Sequence, residues 1–591
     1  MVQDVSVRML ILTVIKKIPA EWRCDEIFPV YPLILEYTTT VSNDRIETPI
    51  SGNVNCTIDF GDGSAVYSYN YDNPTHRYTN PGTYIVSITG NCDSLRMRIP
   101  DSSLIKVISW GDEDFGYNSL WRAFTGCTNL SSIPDDAHNA FGEVTNCEEM
   151  FSGCTNLLSI PENLFKYAKK INSFKSLFYF CSGLTGAIPE NLFINCTEVT
   201  TFEYTFYGCV GLTSIPENLF VNNKKVESFY YTFDSCSITS IAEDLFINCP
   251  LVTNFSGTFR GCRKLTTLPE GLFRNCPEVI TFADTFNFCN SLTVIPEGLF
   301  KNNINVTDFS STFNYCTKLK TIYGDLFKYN TKALTFHNTF YQCEVLTSIP
   351  ENLFSGNINA TIFSSTFGSC RGIITPLSDK LFENNTKVIT FNATFNSCTN
   401  LPGPIPTNLF KNCTEVTTFK STFNQCNNLT GSIPEDLFIN CTKVTDFGNT
   451  FASCSKLTGE IPEGLFRNCS LVTNFQFTFG GCFGLTGSIP ENLFSNNTLA
   501  ISFSGTFNYC YNLTGKMPNN LFNNNKNATN FTVTFRGCSG LTGNTPTGTD
   551  GIELWERAGQ PGYPTSISAD RCFCGCSGLT NYTLNKTDMA L

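Results

Sequence analysis

The chain has 591 residues, 41% of them hydrophobic, which is enough apolar material for a buried core and argues against a disordered protein. Its net charge of −12 argues against a nucleic-acid-binding surface, because that affinity comes largely from Lys and Arg. The 53 Phe and 29 Cys, against only 15% charged residues, indicate one short pattern repeated many times.

Residues 1–32 begin with a largely apolar stretch at 9–15, which is too short to span a bilayer and has no small-residue cleavage site after it. We interpret it as a β-strand. The sequence leaves open whether residues 1–32 form an extra strand pair or an attachment arm. Neither a signal peptide nor a transmembrane segment is recognisable, so direct membrane insertion is not expected.

Residues 33–100 carry hairpin and strand signals. Gly61 and Gly63 allow a tight hairpin, and Tyr84, Val86 and Ile88 alternate on what is predicted to be a terminal strand. With Asp-Phe-Gly-Asp-Gly at 59–63 and Pro-Gly-Thr-Tyr at 81–84, this stretch resembles a PKD (polycystic-kidney-disease type) immunoglobulin-like β-sandwich. The resemblance implies an extracellular or virion spacer and docking module.

Residues 101–123 are expected to be a linker and N-terminal cap for a long repeat array at 124–545. From Phe124/Cys127 to Phe535/Cys538 a Phe-x-x-Cys step occurs sixteen times, at spacings of 26 to 28 residues. Such a period is typical of stacked repeats. The predicted fold is mainly β with short helical turns: a leucine-rich-repeat-like solenoid of about 16 coils preceded by the sandwich.

Each repeat is predicted to turn a fixed set of apolar side chains inward. In one repeat these are Val199, Phe202, Phe206, Cys209, Leu212, Ile215, Pro216, Leu219 and Phe220. A short strand is predicted near 212–215, where the following Pro ends pairing, and a second extended segment near 199–202. From Phe395 onward an added Gly sets the period to 28 and suggests a bulge or a wider turn.

The cysteines are predicted to form two columns. Seventeen belong to the Phe-x-x-Cys step, with Cys576 as the last, and seven in the repeats follow Asn: Cys147, Cys196, Cys249, Cys276, Cys413, Cys441 and Cys469. Side chains stacked in register rarely meet the geometry of a disulfide, so free thiols are expected.

The repeated unit resembles the leucine-rich repeats of BspA-type surface antigens and related bacterial and phage-borne proteins, whose hallmark is Phe-x-x-Cys-x-x-Leu. The resemblance covers about residues 120–545 and implies adhesion to host or matrix proteins. Here Thr mostly stands where that family has Ala before Phe, and the repeat is longer, so the ligand does not transfer. Residues 546–591, with Trp555 and a delayed Phe573-x-x-Cys576, are expected to be a C-terminal capping repeat with an insertion.

No set of residues suggests catalysis. The three histidines, His76, His138 and His337, are not spaced with partners as in a nucleophilic triad. The cluster at 572–576 and the acidic run at 112–114 lack metal-site spacing, and the run is predicted to be a solvated turn. The sequence predicts no enzyme, cofactor or metal.

The variable residues around the repeat phenylalanines are the candidate binding surface. The aromatic ones are Tyr204, Tyr207, Tyr230, Tyr231, Phe288, Tyr315, Tyr341, Phe477 and Tyr509. Tyr204, Tyr207, Tyr230 and Tyr231 are predicted to form one patch on adjacent repeats, although such residues also serve merely to cover a solenoid edge.

The sequence therefore favours a non-catalytic binding protein on a virion or bacterial cell surface. Its solenoid is expected to recognise a cell-surface protein or glycan, while its N-terminal region docks to other virion or cell-envelope proteins. A bacteriophage fibre or decoration protein is favoured over a secreted bacterial adhesin or a structural spacer. No nucleic-acid partner is expected.

Overall fold

The computed structural model describes residues 31–581. The chain divides into two compact units, Met1–Ser237 and Ile238–Leu591. The strand predicted at 9–15, nearly all of the N-terminal arm predicted at 1–32, and the last ten residues of the predicted capping repeat lie outside the described residues.

The described chain consists of strands, single β-bridges and turns, with almost no helix. In the first unit the strands are β1 Leu33–Thr39, β2 Asp44–Glu47, β3 Ile50–Ser51, β4 Asn55–Asp59, β5 Tyr67–Tyr69, β6 Thr75–Tyr78, β7 Gly82–Asn91, β8 Ser94–Leu95, β9 Leu104–Trp110, β10 Thr185–Ala187 and β11 Gly211–Ser214. In the second unit they are β12 Gly515–Lys516 and β13 Leu541–Thr542. The helices among residues 31–581 are two 3-10 segments, Glu113–Phe115 and Leu554–Glu556.

An antiparallel sheet with the order β5-β4-β7-β1-β9 opens the first unit. Two strand pairs, β2–β6 and β3–β8, accompany it, and the Tyr37 hydroxyl donates to the Glu47 carbonyl at 2.9 Å, joining β1 to the end of β2. Strand β9 lies in the stretch that was expected to link the sandwich to the repeats. The sheet therefore extends beyond the predicted range of 33–100 and includes Leu104–Trp110.

Strand β7 shows the predicted alternation only in part. Val86 and Ile88 are fully buried, but Ser87 between them is also covered. The strand is not terminal as predicted, because β4 and β1 flank it and β9 follows it in sequence. Gly61 and Gly63 have φ of 76° and 82°, values that favour glycine and open the loop between β4 and β5.

Within each unit, neighbouring repeats pair in parallel. The residue before the first Phe of a repeat forms a single bridge to its equivalent one repeat on, as Ser173 does with Thr201 and Thr418 with Asp446. The predicted strand near 212–215 is β11, which pairs with β10, but most repeats make only isolated bridges there or none. The Pro after this segment supplies no N–H and so limits its pairing.

Three phenylalanines per repeat form the interior of each stack. Phe419, for example, lies 5.8 Å from Phe447 of the next repeat, with the rings within 5° of parallel. The other two columns have centroid distances of 5.9 Å for Phe423 and Phe451 and 6.2 Å for Phe410 and Phe438. All of these rings are fully buried, which confirms the inward direction predicted for the repeat positions. Burial of each ring contributes roughly 1.5–3 kcal/mol.

Buried polar side chains satisfy the carbonyls of these phenylalanines. The Cys454 thiol donates to the Phe423 carbonyl of the preceding repeat at 3.0 Å. The Thr450 hydroxyl lies between two carbonyls, 2.6 Å from that of Phe447 in its own repeat and 3.1 Å from that of Phe419 in the preceding one. Each of these carbonyls also accepts a backbone N–H of its own repeat, so the side chains add a second hydrogen bond between repeats, worth about 0.5–1.5 kcal/mol each.

A third column uses Asn or Cys. Nδ2 of Asn330 donates to the carbonyls of Phe300 at 3.1 Å and Asn303 at 2.9 Å. At the equivalent position Cys469 reaches the carbonyl of Cys441 at 3.5 Å. A repeat that has Cys at this position therefore has one weak S–H donor where other repeats have an amide group that donates two hydrogen bonds.

Cys147 was assigned to this third column, and that assignment is wrong. Its neighbour Asn146 forms the bridge to Ser173, so Cys147 occupies the position that Phe174 holds in the next repeat. The segment between Phe141 and Cys147 is shorter than its equivalents, which makes an Asn-Cys pair appear where the repeat normally has its first Phe.

Candidate binding surface

The segment around the second Phe of each repeat has an unusual backbone. Alternate N–H groups donate to the next repeat: Ser311 to the carbonyl of His337 at 2.7 Å, and Tyr315 to that of Tyr341 at 2.8 Å. Ser311 and Tyr315 have φ of 54° and 56°. The left-handed conformation turns these alternate N–H groups towards the same neighbour, and the bonds hold a geometry that otherwise costs an L-residue about 1–2 kcal/mol.

Several predicted binding residues occupy these left-handed positions. Besides Tyr315 they are Tyr204, Tyr231, Phe288, Phe477 and Tyr509, with φ between 50° and 60°. A bulky residue at positive φ is rare, and here it recurs at corresponding positions of the repeat. The backbone therefore fixes the direction in which each of these aromatic side chains leaves the scaffold.

The structure brings Tyr204, Tyr207, Tyr230 and Tyr231 together. The rings of Tyr204 and Tyr231 stack at 5.7 Å, and Tyr230 meets Tyr204 edge-on at 5.2 Å. Tyr207 lies 5.9 Å from Tyr204 and 6.4 Å from Tyr231. All four side chains are half-buried, so they are neither fully covered nor dispersed over separate faces.

Two further aromatic residues extend this group by one repeat. Tyr179 stacks on Tyr207 at 5.0 Å, and Phe180, which is 46% exposed, meets Tyr207 edge-on at 5.2 Å. We call the six residues, Tyr179, Phe180, Tyr204, Tyr207, Tyr230 and Tyr231, the aromatic patch. Sequence reasoning missed Tyr179 and Phe180, although Tyr179 stands one repeat before Tyr207 in the same column.

Polar groups border the aromatic patch. Nζ of Lys175 lies 3.3 Å from a carboxylate oxygen of Glu203, and the Ser228 hydroxyl donates to the other oxygen at 3.0 Å. Burial and a hydrogen bond with Tyr230 raise the pKa of the Tyr204 phenol. Tyr204 is therefore a neutral hydroxyl at physiological pH, and the patch combines ring edges and hydroxyls with one ion pair.

The remaining candidate residues lie in the second unit and do not form one surface. Phe288 stacks on Tyr315 at 4.4 Å, and Tyr315 meets Tyr341 at 5.9 Å, so these three make a smaller group. Phe477 packs over Gly505 of the next repeat, where any Cβ would lie 2.3 Å from the ring. Tyr509 lies 5.6 Å from Tyr511 and under the guanidinium of Arg536.

The histidines take structural positions. His76 is hydrogen-bonded to Asp62 at 2.8 Å and stacks on Phe60, and His138 stacks on Tyr31. His337 is exposed and approaches the Ser364 carbonyl. None of these contacts pairs a histidine with a nucleophilic hydroxyl or thiol.

The acidic run at 112–114 is only partly the solvated turn predicted. Glu113 and Asp114 are exposed, but Asp112 is buried and accepts a hydrogen bond from the Asp114 N–H, capping the 3-10 helix. Within residues 31–581 no cluster of His, Cys, Asp and Glu side chains is suited to holding a metal ion. In that same range no helix has the length and apolarity needed to cross a bilayer.

The repeats are similar to a family whose function is not known. The family model described as "Mycoplasma protein of unknown function, DUF285" matches the chain twice, at residues 118–246 and 361–491. No curated protein matches the chain. Two separate matches to one family model, both within the repeats, agree with the BspA-type resemblance of the Phe-x-x-Cys-x-x-Leu unit.

Proposed function

We propose that this chain is a non-catalytic binding protein and that its aromatic patch recognises a protein on a cell surface. The observation that carries the proposal is the meeting of six aromatic side chains on three successive repeats, with Phe180, Tyr204 and Tyr231 held at positive φ. A ring whose backbone is already fixed loses little conformational freedom on binding.

The composition of the patch favours a protein over a glycan. Tyrosine offers large, rigid contact area with a polar edge and is enriched among the residues that dominate protein interfaces. The stacked pairs Tyr179–Tyr207 and Tyr204–Tyr231 cover part of each other's faces, which are the surfaces that a sugar ring would need.

The fold and the location that we propose for the protein rest on the two family resemblances. We infer a leucine-rich-repeat-like solenoid of BspA type for the repeats and a PKD-like sandwich for the N-terminal sheet. The stacked phenylalanine columns and the antiparallel order β5-β4-β7-β1-β9 support these assignments. On this basis the protein belongs on a virion or bacterial cell surface, with the N-terminal region docking to other envelope or virion proteins.

The test compares wild-type protein with Tyr204→Ala and Tyr231→Ala on an array of purified cell-surface and matrix proteins, and in parallel on a glycan array. We expect a protein ligand whose affinity falls at least about 10-fold in each variant, as for central interface tyrosines. Tyr511→Ala, which removes an exposed aromatic ring outside the patch, is the matched control and is expected to bind like wild type.

Two outcomes contradict the proposal. Binding to glycans alone would assign the patch to carbohydrate recognition. Binding unaffected by both tyrosine variants, or no binding at all by a folded protein, would leave the repeats as a structural spacer.

A further inference from the structure

The second unit exposes a face of aliphatic side chains. Among residues 238–581, ten Leu and Ile side chains are exposed, and nine of them lie two to five residues before the first Phe of a repeat. Four of the nine, Ile280, Leu334, Ile389 and Ile501, share the position two residues before that Phe. Apolar side chains that gather on one face mark an interaction site, whereas scattered ones do not.

The residues at this position in nine successive repeats, from Ile280 to Ile501, form what we call the outer column. From Thr307 onwards, each N–H of the column donates to the carbonyl of the column residue one repeat earlier, at 2.8–2.9 Å. These bonds hold the column residues at a regular interval, about 4.8 Å as in a β-ladder. The outer column is therefore an evenly spaced row of side chains at the surface.

Only Ile, Leu and Thr occupy the outer column, so it offers a partner mainly aliphatic surface. All five threonines donate their hydroxyl to the carbonyl of the preceding column residue at 3.1–3.3 Å, as Thr361 does to Leu334. Because these hydroxyl protons are already donated within the chain, the column gains little from a polar partner.

Large and small side chains alternate along the middle of the outer column. Leu334 and Ile389 are 46% and 45% exposed, and Thr361, which stands between them, is shorter and half-buried. The column therefore has projections two repeats apart with a gap between them. A partner packs closely against such a row only if its own projections are spaced in the same way and shifted by one repeat.

We propose that the outer column is the contact surface between two copies of this chain, which pack antiparallel about a two-fold axis that passes between the repeats of Thr361 and Ile389. A two-fold axis makes each residue pair occur twice, with the roles of the two copies exchanged. Under this axis Ile389 of one copy meets Thr361 of the other, and Leu334 meets Thr417, so that these projections enter gaps.

A second copy is the occupant that the spacing favours. A row of nine evenly spaced side chains stays in register only with a partner of the same spacing, and another copy has that spacing by construction. Aliphatic side chains gain most from burial against other aliphatic side chains. The inference does not rest on the proposed function, because the aromatic patch belongs to the first unit.

Charged residues beside the outer column fit the same axis. Lys332 and Glu415 each stand two residues before a column residue, and the axis brings Lys332 of one copy opposite Glu415 of the other. The remaining charged side chains in this flank, Glu278, Lys387 and Lys443, face Leu or Asn, so like charges are not brought together. An axis one repeat nearer the N-terminus would instead place Glu278 against Glu415, which is unfavourable.

Sedimentation velocity of the full-length protein, with a reductant present and over a range of micromolar concentrations, is expected to show a monomer–dimer equilibrium. Leu334→Glu buries a carboxylate against the second copy and is expected to raise the dissociation constant at least about 10-fold. Ile374→Glu is the matched control, because Ile374 is 64% exposed in the same unit but lies in a different segment of the repeat, and it should dimerise like wild type. A wild-type protein that stays monomeric at every concentration, or a dimer that Leu334→Glu leaves unchanged, overturns the proposal.

A disulfide cross-link tests the orientation of the two copies. Leu334→Cys and Thr417→Cys proteins are mixed, oxidised with diamide under native conditions and analysed by mass spectrometry. The native cysteines of the repeats are nearly all buried, so the surface thiols react first. We expect a link between positions 334 and 417, whereas identical positions lie three repeats, about 14 Å, apart and should not link. Links between identical positions alone, or a dimer without the 334–417 link, contradict the antiparallel arrangement.

Discussion

The Phe-x-x-Cys thiols make the stability of the repeats depend on pH, and Cys454 shows how. Burial raises the pKa of this thiol from its ordinary value of 9.0 to about 12. Because the folded-state pKa is the higher one, the thiol's contribution to stability is complete below pH 9 and is lost as the pH rises from 9 towards 12. At pH 10 the unfolded thiol is mostly ionised, which favours unfolding by ~1.4 kcal/mol, against ~0.1 kcal/mol at pH 8.

Cys454→Ala isolates this effect. At pH 8 the variant loses the buried sulfur and its hydrogen bond to Phe423, so we expect its free energy of unfolding to fall by about 1–3 kcal/mol. At pH 10 wild type also loses the ionisation contribution that the variant lacks, so the difference between them shrinks by about 1.3 kcal/mol.

Guanidinium titrations of both proteins at pH 8 and pH 10, with a reductant present, measure the two differences. Thr450→Val is the control, because its hydroxyl lies in the neighbouring column and does not ionise in this range, so its deficit should not change with pH. A Cys454→Ala deficit of equal size at both pH values would refute the reasoning.

Two further predictions address other parts of the chain. Asn330→Ala removes the side-chain donor from the carbonyls of Phe300 and Asn303, each of which keeps one backbone N–H donor, and should lower the free energy of unfolding by about 1–3 kcal/mol. Asn330→Cys should cost less, and equal losses in a denaturant titration would contradict the role of this column. Burial opposes the ionisation of Asp62, but hydrogen bonds from Ser64 and His76 outweigh it and hold the pKa of Asp62 at about 2. The stability that Asp62 contributes is present above its ordinary pKa of 3.8 and is lost as the pH falls towards 2, so an acid titration of Asp62→Asn should show a weaker pH dependence than wild type; parallel curves would argue against this.

The interior of the repeats was predictable because it depends on period and side-chain type. Phe and Cys positions that recur every 26 to 28 residues must all point the same way if the repeats stack, and Phe419, Phe423 and Cys454 do so. The prediction for Cys147 is wrong because the Asn-Cys dipeptide alone does not define the third column. The number of residues that separate Cys147 from Phe141 shows that it occupies a different position.

The backbone of the candidate surface was not predictable in the same way. Tyr and Phe disfavour positive φ, so no propensity argument places Tyr204 or Phe288 in the left-handed region. That conformation follows from hydrogen bonds to the next repeat, which residue types do not reveal. The relation of Tyr179 to Tyr207 was available from the register of the repeats, since the two occupy one column.

The inter-repeat hydrogen bonds have an evolutionary consequence. At the displayed positions the bonds come from main-chain N–H groups, so residues as different as Ser311, Tyr315 and Gln342 make them. Mutation at these positions can change which ligand is bound while the main-chain hydrogen bonds stay intact. In addition, recombination between repeats of equal length can duplicate or delete a copy within a unit and still join matching surfaces. The number of repeats can therefore change in evolution as readily as the exposed side chains.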